Sequence, residues 1–245
     1  MLCMGALLFA EKEQIQISRD VLNCDFATGK VELISKNESS SSLISNLEIN
    51  SSLPHNSILC TGKNSLCEIS DSEDFITIRL GSDAIIESVD KKHLSVLSGS
   101  FIICLQNNSE FTIKSRKSTL RTSGKYTAIV ECTSNGGFKF IPLEGKGKII
   151  PQTGEQKDIY RGRLTMVLSS PSKLGNAYDI DLLLLLKSSR LINSFPTPLP
   201  TMKRISLAVY AQQLKLKGKF NALIGDAPTD DNLQMWAFGK EDSKE

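Results

Sequence analysis

The sequence has few of the residues from which active sites are usually built. It holds two histidines, one tryptophan and only 6% aromatic residues among 245 positions. Neither His55 nor His93 has a Cys, Asp or Glu at the spacing of a metal site. There is also no Gly-x-Ser-x-Gly elbow, phosphate-binding glycine loop or His-Glu-x-x-His motif. Because nothing supplies both a nucleophile and a tuned base, we predict a protein that is not an enzyme, with no catalytic residue, metal ligand or cofactor.

An excess of charge of either sign is missing as well. The 29 Lys and Arg residues nearly balance the 27 Asp and Glu residues, which gives a formal net charge of +2. Such a balance creates no field that would attract a phosphate backbone, so we expect no nucleic-acid partner. One basic cluster is more typical of a solvated strand edge than of a patch for an acidic partner. It consists of Lys114, Arg116, Lys117, Arg121 and Lys125.

Long hydrophobic runs are absent too, and a transmembrane helix needs about 20 apolar residues. The strongest internal run, residues 182–186, is closed off by Asp181 and Lys187, so no membrane span is predicted. Residues 1–10 are apolar and are followed abruptly by Glu11. Their length and final alanine fit the apolar core of a secretory signal, which predicts an exported protein of the periplasm or cell envelope. The alternative is a buried first strand or an unstructured N-terminus.

Six cysteines are present, and none has the Cys-x-x-Cys spacing of a zinc site or a redox dithiol. Removal of a leader that contains Cys3 would leave an odd number, so at least one thiol would have no intrachain partner. Cys60 and Cys67 flank a Thr-Gly-Lys-Asn turn and could meet across a hairpin, while Cys104 and Cys132 lie in strand-like runs that could be neighbours. Export favours disulfides. The alternative is free cysteines that fill small buried strand positions.

What the sequence does contain is a succession of short β-strands. Alternation such as Phe111/Ile113 and Tyr126/Ala128/Val130 implies one buried and one wet face. The regular spacing, with no helix in between, predicts a mainly β fold, an antiparallel β-sandwich or jelly-roll-like barrel, rather than an α/β sheet. The predicted strands are 14–17, 30–34, 57–60, 66–69, 75–79, 84–89, 93–97, 100–105, 110–114, 118–122, 126–132, 137–142 and 147–150, with turns at 23–25 and 28–29 and a serine-rich turn at 39–42.

The pattern changes after Pro151. Residues 163–168 are predicted to form one more strand, and Asn176 followed by Asp179 is suited to capping a helix over 177–193. This helix has to stop before the proline-rich segment that begins at Pro196.

A second helix is predicted over 202–217, although the alternation of Ile205, Leu207 and Val209 would also suit a strand. The polar, acidic tail around Trp236 is expected to fray. We therefore divide the chain into residues 1–10 (signal-peptide remnant), 11–150 (β domain), 151–225 (strand and helix extension) and 226–245 (tail).

The order of the turn residues across residues 30–150 resembles the FecR domain, the outer-compartment part of iron-transport regulators and of many stand-alone envelope proteins. The matching elements are Thr61-Gly62 with Ser65, Arg79-Leu80-Gly81-Ser82, Leu97-Ser98-Gly99 and Leu143-Glu144-Gly145. A further element departs from the family pattern, because Thr122-Ser123-Gly124 stands where Gly-Thr is usual. The glycine that a positive φ requires is kept there, while the threonine hydroxyl is lost.

The resemblance implies a non-enzymatic FecR-type binding, scaffold or sensor module that contacts an envelope protein. Signalling members carry a helical anti-sigma segment and a membrane span ahead of this domain. Neither is recognisable here, so we do not expect transmembrane transcriptional control by this chain alone. Residues 177–216 would cover a sheet edge or form the partner-binding element. The alternative is a jelly-roll carbohydrate-binding module for cell-wall glycan, against which the scarcity of aromatic residues argues.

Overall fold

The computed structural model describes residues 21–36, 42–71, 76–216, 220–225 and 234–239. It confirms the predicted mainly β fold class, since strands predominate among the described residues and helices are few. The predicted strand at 14–17 and the apolar residues 1–10 lie outside the described residues, as does most of the serine-rich turn.

The described residues form sixteen strands and three helices. All strand pairs among them are antiparallel except that of β8 with β9. In chain order the strands are β1 Asn23–Thr28, β2 Val31–Lys36, β3 Ser42–Asn46, β4 Ser57–Thr61, β5 Leu66–Asp71, β6 Ile76–Leu80, β7 Ile85–Asp90, β8 His93–Ser98, β9 Ser100–Lys114, β10 Thr119–Cys132, β11 Phe138–Pro151, β12 Lys157–Asp158, β13 Arg163–Leu168, β14 Lys173–Asp179, β15 Phe220–Gly225 and β16 Gln234–Gly239. The helices are α1 Leu182–Ser188, α2 Arg190–Asn193 and α3 Met202–Leu216.

Three long strands, β9, β10 and β11, join two layers of sheet because each runs through both. The first half of β9 pairs with β6 and its second half with β8. The first layer has the strand order β1-β5-β6-β9-β10-β11-β13-β14, and the second has the order β3-β2-β4-β7-β8-β9-β10-β11-β12. Side chains of both layers, such as Ile69 and Val130 from the first and Leu59 and Val96 from the second, fill the core between them.

Most of the predicted strands are present, but three predicted pairs of strands are single long ones. The pairs 100–105/110–114, 118–122/126–132 and 137–142/147–150 correspond to β9, β10 and β11. Gly124 and Gly145 therefore lie inside strands, at the bend where the pairing of β10 with its neighbours shifts register. A bulge accommodates an extra residue inside a continuous strand, so residues that are typical of turns do not end the strand here. A bulge also explains why the sequence predicts a turn where β1 is found. Asp25 is the extra residue of a bulge opposite β5 and does not end the strand.

The helix predicted over 177–193 is wrong at its start and in its continuity. β14 occupies residues 173–179 because it pairs with β13, with Asp179 opposite Arg163. Asp181 caps α1 instead of Asn176, since its side chain accepts hydrogen bonds from the N–H groups of the second and third helical residues. The helical path is then interrupted at Ser189, whose backbone is extended.

The second predicted helix is confirmed as α3, which begins at Met202. Ile205 is buried while Leu207 is 68% exposed, as the 3.6-residue period of a helix demands. In the predicted tail, residues 234–239 form β16, which pairs with β15 in an antiparallel register that places Leu223 opposite Trp236. The sequence does not predict this strand, because the short apolar segment is flanked by acidic residues.

The helices cover the outer face of the first layer. That face carries Ile102 from β9, Ile129 from β10 and Leu143 from β11, which form a second hydrophobic core. The helical side chains that complete this outer core include Leu182, Leu185, Leu191, Ile192, Ile205 and Ala208. The molecule is thus a sandwich with a helical third layer on one side.

The close approach of β10 and β11 at the bend predicts that adding one methyl group there lowers the stability of the fold. A Cβ on Gly124 would lie 2.3 Å from the carbonyl oxygen of Lys146, and φ at Gly124 is +130°. We expect Gly124→Ala to lower the free energy of unfolding by roughly 2–4 kcal/mol, because overpacking adds to backbone strain. Gly154→Ala is the matched control, since φ there is also positive (+85°) but no atom lies within 4 Å of the added Cβ. It should cost only about 1 kcal/mol. Equal costs in urea unfolding would contradict the close approach of β10 and β11.

Candidate functional site

The first four turn residues of the FecR-like motif converge at one end of the sandwich. The Thr61 hydroxyl donates to the carbonyl oxygen of Gly81 (2.6 Å) and accepts from the Ala84 N–H (2.9 Å). Gly62 accepts from the N–H of Asp83, and its own N–H donates to Lys30. These contacts join the end of β4 to the ends of β2, β6 and β7, although the bonded residues are up to 32 positions apart. The Thr-Gly pair therefore has a structural role at this junction.

Gly99 completes this first cluster. Its φ is +90°, and a Cβ there would lie 2.5 Å from the Cα of Ala84, so only glycine lets the step from β8 to β9 pass so close to β7. Of the remaining two motif glycines, Gly124 lies in β10 and Gly145 in β11, both at the bend. Gly145 is opposite Tyr126. The motif residues therefore form two structural clusters and no cluster of reactive groups.

A buried arginine joins the first layer to the helices. Arg79 has no exposed surface, and its Nε donates to Glu68 Oε2 at 2.5 Å across the β5–β6 pair. Its two terminal nitrogens donate to the carbonyl oxygens of Leu191 and Ile192 (3.4 Å each) and of Thr197 (2.5 Å). These bonds satisfy the last carbonyls of α2, which a helix end would otherwise leave without partners.

Phe195 completes the surroundings of that arginine. Its ring centre lies 4.3 Å from the Arg79 guanidinium carbon, which is within the range of a cation–π contact. The other side of the ring meets Phe26 edge to face, with 5.6 Å between ring centres. The segment between α2 and α3 is therefore held against both β1 and β6.

A second ion pair, in which Glu144 is buried and Arg204 is partly exposed, attaches α3. Arg204 donates two hydrogen bonds to Glu144, at 2.9 and 3.0 Å, in the bidentate arrangement that makes such pairs strong. Thr127 donates to the same carboxylate (2.7 Å) and lies 2.6 Å from the Thr201 hydroxyl. Because these contacts reach the first turn of α3 from β10 and β11, the helical layer covers a face of the sheet. It does not cover an edge, which is one of the two alternatives that the sequence leaves open for residues 177–216.

The outer edge of the second layer is formed by β3. Every residue of Ser42–Asn46 is exposed, with Leu43 at 55% and Ile44 at 62%. Within the described residues no strand pairs with the far side of β3. Natural edge strands usually carry a charge, a proline or a bulge that prevents further pairing, and this five-residue strand has none of them. It is the described feature of the molecule best suited to adding another strand.

The cysteines do not form the predicted pairs. Cys60 lies in β4 of the second layer and Cys67 in β5 of the first, so they do not share a hairpin. Cys104 is opposite Thr127, five positions along β10 from Cys132, a separation of about 17 Å in a strand. A disulfide needs Cα atoms about 4.4–6.8 Å apart. The structure therefore leaves all five described cysteines as free thiols.

The two thiols that do meet are Cys24 and Cys67, which the sequence does not pair. Their hydrogen bond lowers the pKa of Cys24 and, together with burial, raises that of Cys67 well above its usual value. Burial also raises the pKa of Cys60 and Cys104, and it raises the pKa of Cys132 to about 12. Thiols with raised pKa values are poor nucleophiles at neutral pH.

The two histidines lie at the surface of the second layer. His55 is exposed in a turn, and His93 Nδ1 is 2.7 Å from Asp90 Oδ2. Partial burial raises the pKa of Asp90, but hydrogen bonds from His93 and the Lys92 N–H outweigh it, so the pKa is lowered. Among the described side chains, no three His, Cys, Asp or Glu residues are grouped as metal ligands would be. No helix in the described part of the chain is long and apolar enough to cross a membrane.

Comparison with known proteins adds a distant structural likeness. No protein-family model matches the chain, and no curated protein matches it. Crystal structures of a "putative anti-sigma factor" from Parabacteroides distasonis ATCC 8503, at 1.65 and 2.50 Å resolution, each match at 7% identity with a TM-score of 0.40. The match covers 50% of this chain and 59% of that protein. Membership of the FecR family therefore rests on the motif residues and is a proposal.

We predict that removal of the buried Arg79 side chain causes a large loss of stability. We expect Arg79→Leu to lower the free energy of unfolding by roughly 3–5 kcal/mol, because Glu68 is left buried without its countercharge. The double variant Glu68→Leu/Arg79→Leu should lose less than Arg79→Leu alone, since no uncompensated carboxylate remains. Urea denaturation measures both. A loss below about 1 kcal/mol in Arg79→Leu would show that the pair does not hold the helices.

The thiols predict a fall in stability at alkaline pH. In the unfolded chain Cys132 ionises near its ordinary value of 9.0, whereas in the fold its pKa is about 12. The unfolded state therefore loses its proton first, and the free energy of unfolding falls as pH rises from about 9 towards 12. Urea unfolding at pH 8.0, 9.5 and 10.5 should show a smaller fall in Cys132→Ala than in the wild type. If the free energy of unfolding fell equally with pH in the two proteins, the fold would not hold the Cys132 thiol in its neutral form.

Proposed function

We propose that this chain is a non-enzymatic FecR-type binding and scaffold or sensor module of the cell envelope, which acts through protein–protein contacts. The observation that carries the proposal is the uncharged edge strand β3, which is exposed over its whole length and presents Leu43 and Ile44 to solvent. An extended segment of a partner protein would pair with this edge, so that main-chain hydrogen bonds give affinity and side-chain contacts give selectivity.

The direction of the backbone groups in β3 supports strand addition. The Leu47 N–H donates to the Val31 carbonyl oxygen (2.9 Å), which fixes the phase of the β2–β3 pair. Antiparallel hydrogen bonds alternate along a strand, so Ser45 also points its N–H and C=O towards β2. The N–H and C=O groups of Ile44 and Asn46 therefore face the open side and can receive a partner strand.

Each face of β3 presents one exposed apolar side chain. Ile44 is opposite Ile34, and Leu43 is opposite Ser35 in β2. Since alternate residues of a strand point to opposite faces, Leu43 and Ile44 project to different sides of the edge. A partner segment with apolar residues at alternate positions on both faces would bury them, and burying apolar surface drives association.

The rest of the molecule is suited to holding this edge still. One buried and one partly buried ion pair fix the helices on the first layer, and the three long strands join the two layers into one unit. A preformed edge loses little conformational entropy when a partner pairs with it. The convergence of Thr61, Gly62, Gly81 and Gly99 at one end of the sandwich supports the FecR-type assignment, and the apolar residues 1–10 support export.

A photo-crosslinking experiment tests the proposal in cells of the native host. A photoreactive amino acid replaces Leu43 in the full chain, and the crosslinked partner is identified by mass spectrometry in the envelope fraction. We expect a defined envelope protein, whose yield falls by about tenfold or more when Ile44 is also changed to Pro. Proline removes an edge-facing N–H but no hydrogen bond to β2.

Ile44→Val is the matched control, because it keeps the N–H and an apolar side chain that favours a strand; it should retain most of the crosslink. The same probe at Leu207, which is 68% exposed on α3, controls for chance encounters. A yield unaffected by Ile44→Pro, or an equal yield from the Leu207 probe, would contradict strand addition at β3.

A further inference from the structure

The two lateral edges of the sandwich are built differently. At the edge next to β3, backbone hydrogen bonds join β1 to the segment after β3, with Cys24 N–H donating to Ser51 (2.9 Å) and Leu53 N–H to Leu22 (2.8 Å). At the opposite edge β12 belongs to the second layer while β13 and β14 belong to the first. Between them lies a cleft of about 650 Å³, a volume typical of small-ligand sites.

The cleft grades from apolar at its base to polar at its mouth. On β13, Val167 is part of the core, Thr165 comes next along the same face, and Arg163 follows at the mouth. Phe140 lies opposite Thr165 on β11 and has no exposed surface. Lys157 reaches from β12 and donates to the Gly175 carbonyl oxygen (3.3 Å), so the mouth is bridged on one side.

The groups at the mouth are free to bind a ligand. Asp158, Tyr160, Arg163 and Asn176 are exposed, and their side chains make no hydrogen bond with any other described residue. Together they offer a carboxylate that accepts, a guanidinium that donates, and an amide and a phenol that do both. Tyr160 is 61% exposed and adds an aromatic surface beside these polar groups.

We propose that this cleft binds a glycan. A sugar ring presents adjacent hydroxyls, each of which donates and accepts, together with a face of C–H groups. The mixed donors and acceptors at the mouth match the hydroxyls, and the exposed ring of Tyr160 matches the apolar face of the sugar. A ligand with only apolar groups would gain little here, because the apolar base of the cleft is already covered.

A peptide strand fits this edge poorly. β12 is two residues long, which is too short for a ladder. The pairing of β13 with β14 shifts register between Thr165 and Val167, and such a bulge bends an edge away from further pairing. The glycan site is therefore distinct from the protein-binding edge at β3 and does not depend on it.

Co-sedimentation and calorimetry of the full chain test this site. The insoluble probes are purified peptidoglycan sacculi and sacculi stripped of their stem peptides by an amidase. The soluble probes are tetrasaccharides of N-acetylglucosamine and of β-1,4-linked glucose. We expect binding to at least one glycan without peptide, weakened by about tenfold in Tyr160→Ala and in Arg163→Ala, because each change removes one of the main contacts.

Tyr210→Ala is the matched control, since Tyr210 is 65% exposed on α3 and is not among the residues that line the cleft; it should bind like the wild type. Ile44→Pro should also bind glycan normally, which separates this site from β3. Thermal unfolding confirms that the variants are folded. No binding to any of the four probes, binding only to sacculi that keep their peptides, or an equal loss in Tyr210→Ala would overturn the proposal.

Discussion

The attachment of α2 and of the segment that leads to α3 depends on one buried cation. The Arg79 guanidinium is fully enclosed and donates to Glu68 and to the carbonyl oxygens of Leu191, Ile192 and Thr197. A charge can remain there only because a carboxylate and peptide dipoles replace its hydration. The same bonds determine where α2 ends and how the chain continues over β6 towards α3. The outer hydrophobic core can then form between the helices and the first layer.

The long strands impose the second constraint. A sheet that passes continuously through β9, β10 and β11 can become a two-layered sandwich only if all three strands bend at the same level. The register shifts near Gly124 and Thr127 provide this bend, and the missing side chain of Gly124 lets β11 approach it. The core between the layers and the close backbone contact at the bend are therefore consequences of the same geometry.

The fold class and most strands could be predicted from the sequence, because alternating apolar residues and turn residues are local signals. The ends of α1 could not: Asn176 and Asp181 are both suitable caps, and the choice is made by the pairing of β14 with β13. The Glu68–Arg79 pair could not be recognised either. Each residue alone is typical of a solvated strand position, and only the β5–β6 register together with α2 encloses them. The order of the motif glycines is visible in the sequence, whereas their convergence needs contacts between distant strands.

The asymmetry of the lateral edges connects these constraints with binding. Closure of one side by hydrogen bonds between β1 and the segment after β3 leaves β3 itself projecting as a straight edge whose backbone groups are available. On the other side β12 is too short to cover the divergence of the two layers, and a polar cleft results. A rigid sandwich that exposes an edge strand at one side and a cleft at the other is able to hold two ligands of different chemistry at a fixed separation. Under the two proposals made above, this arrangement would let one molecule contact an envelope protein at β3 and a glycan at the cleft.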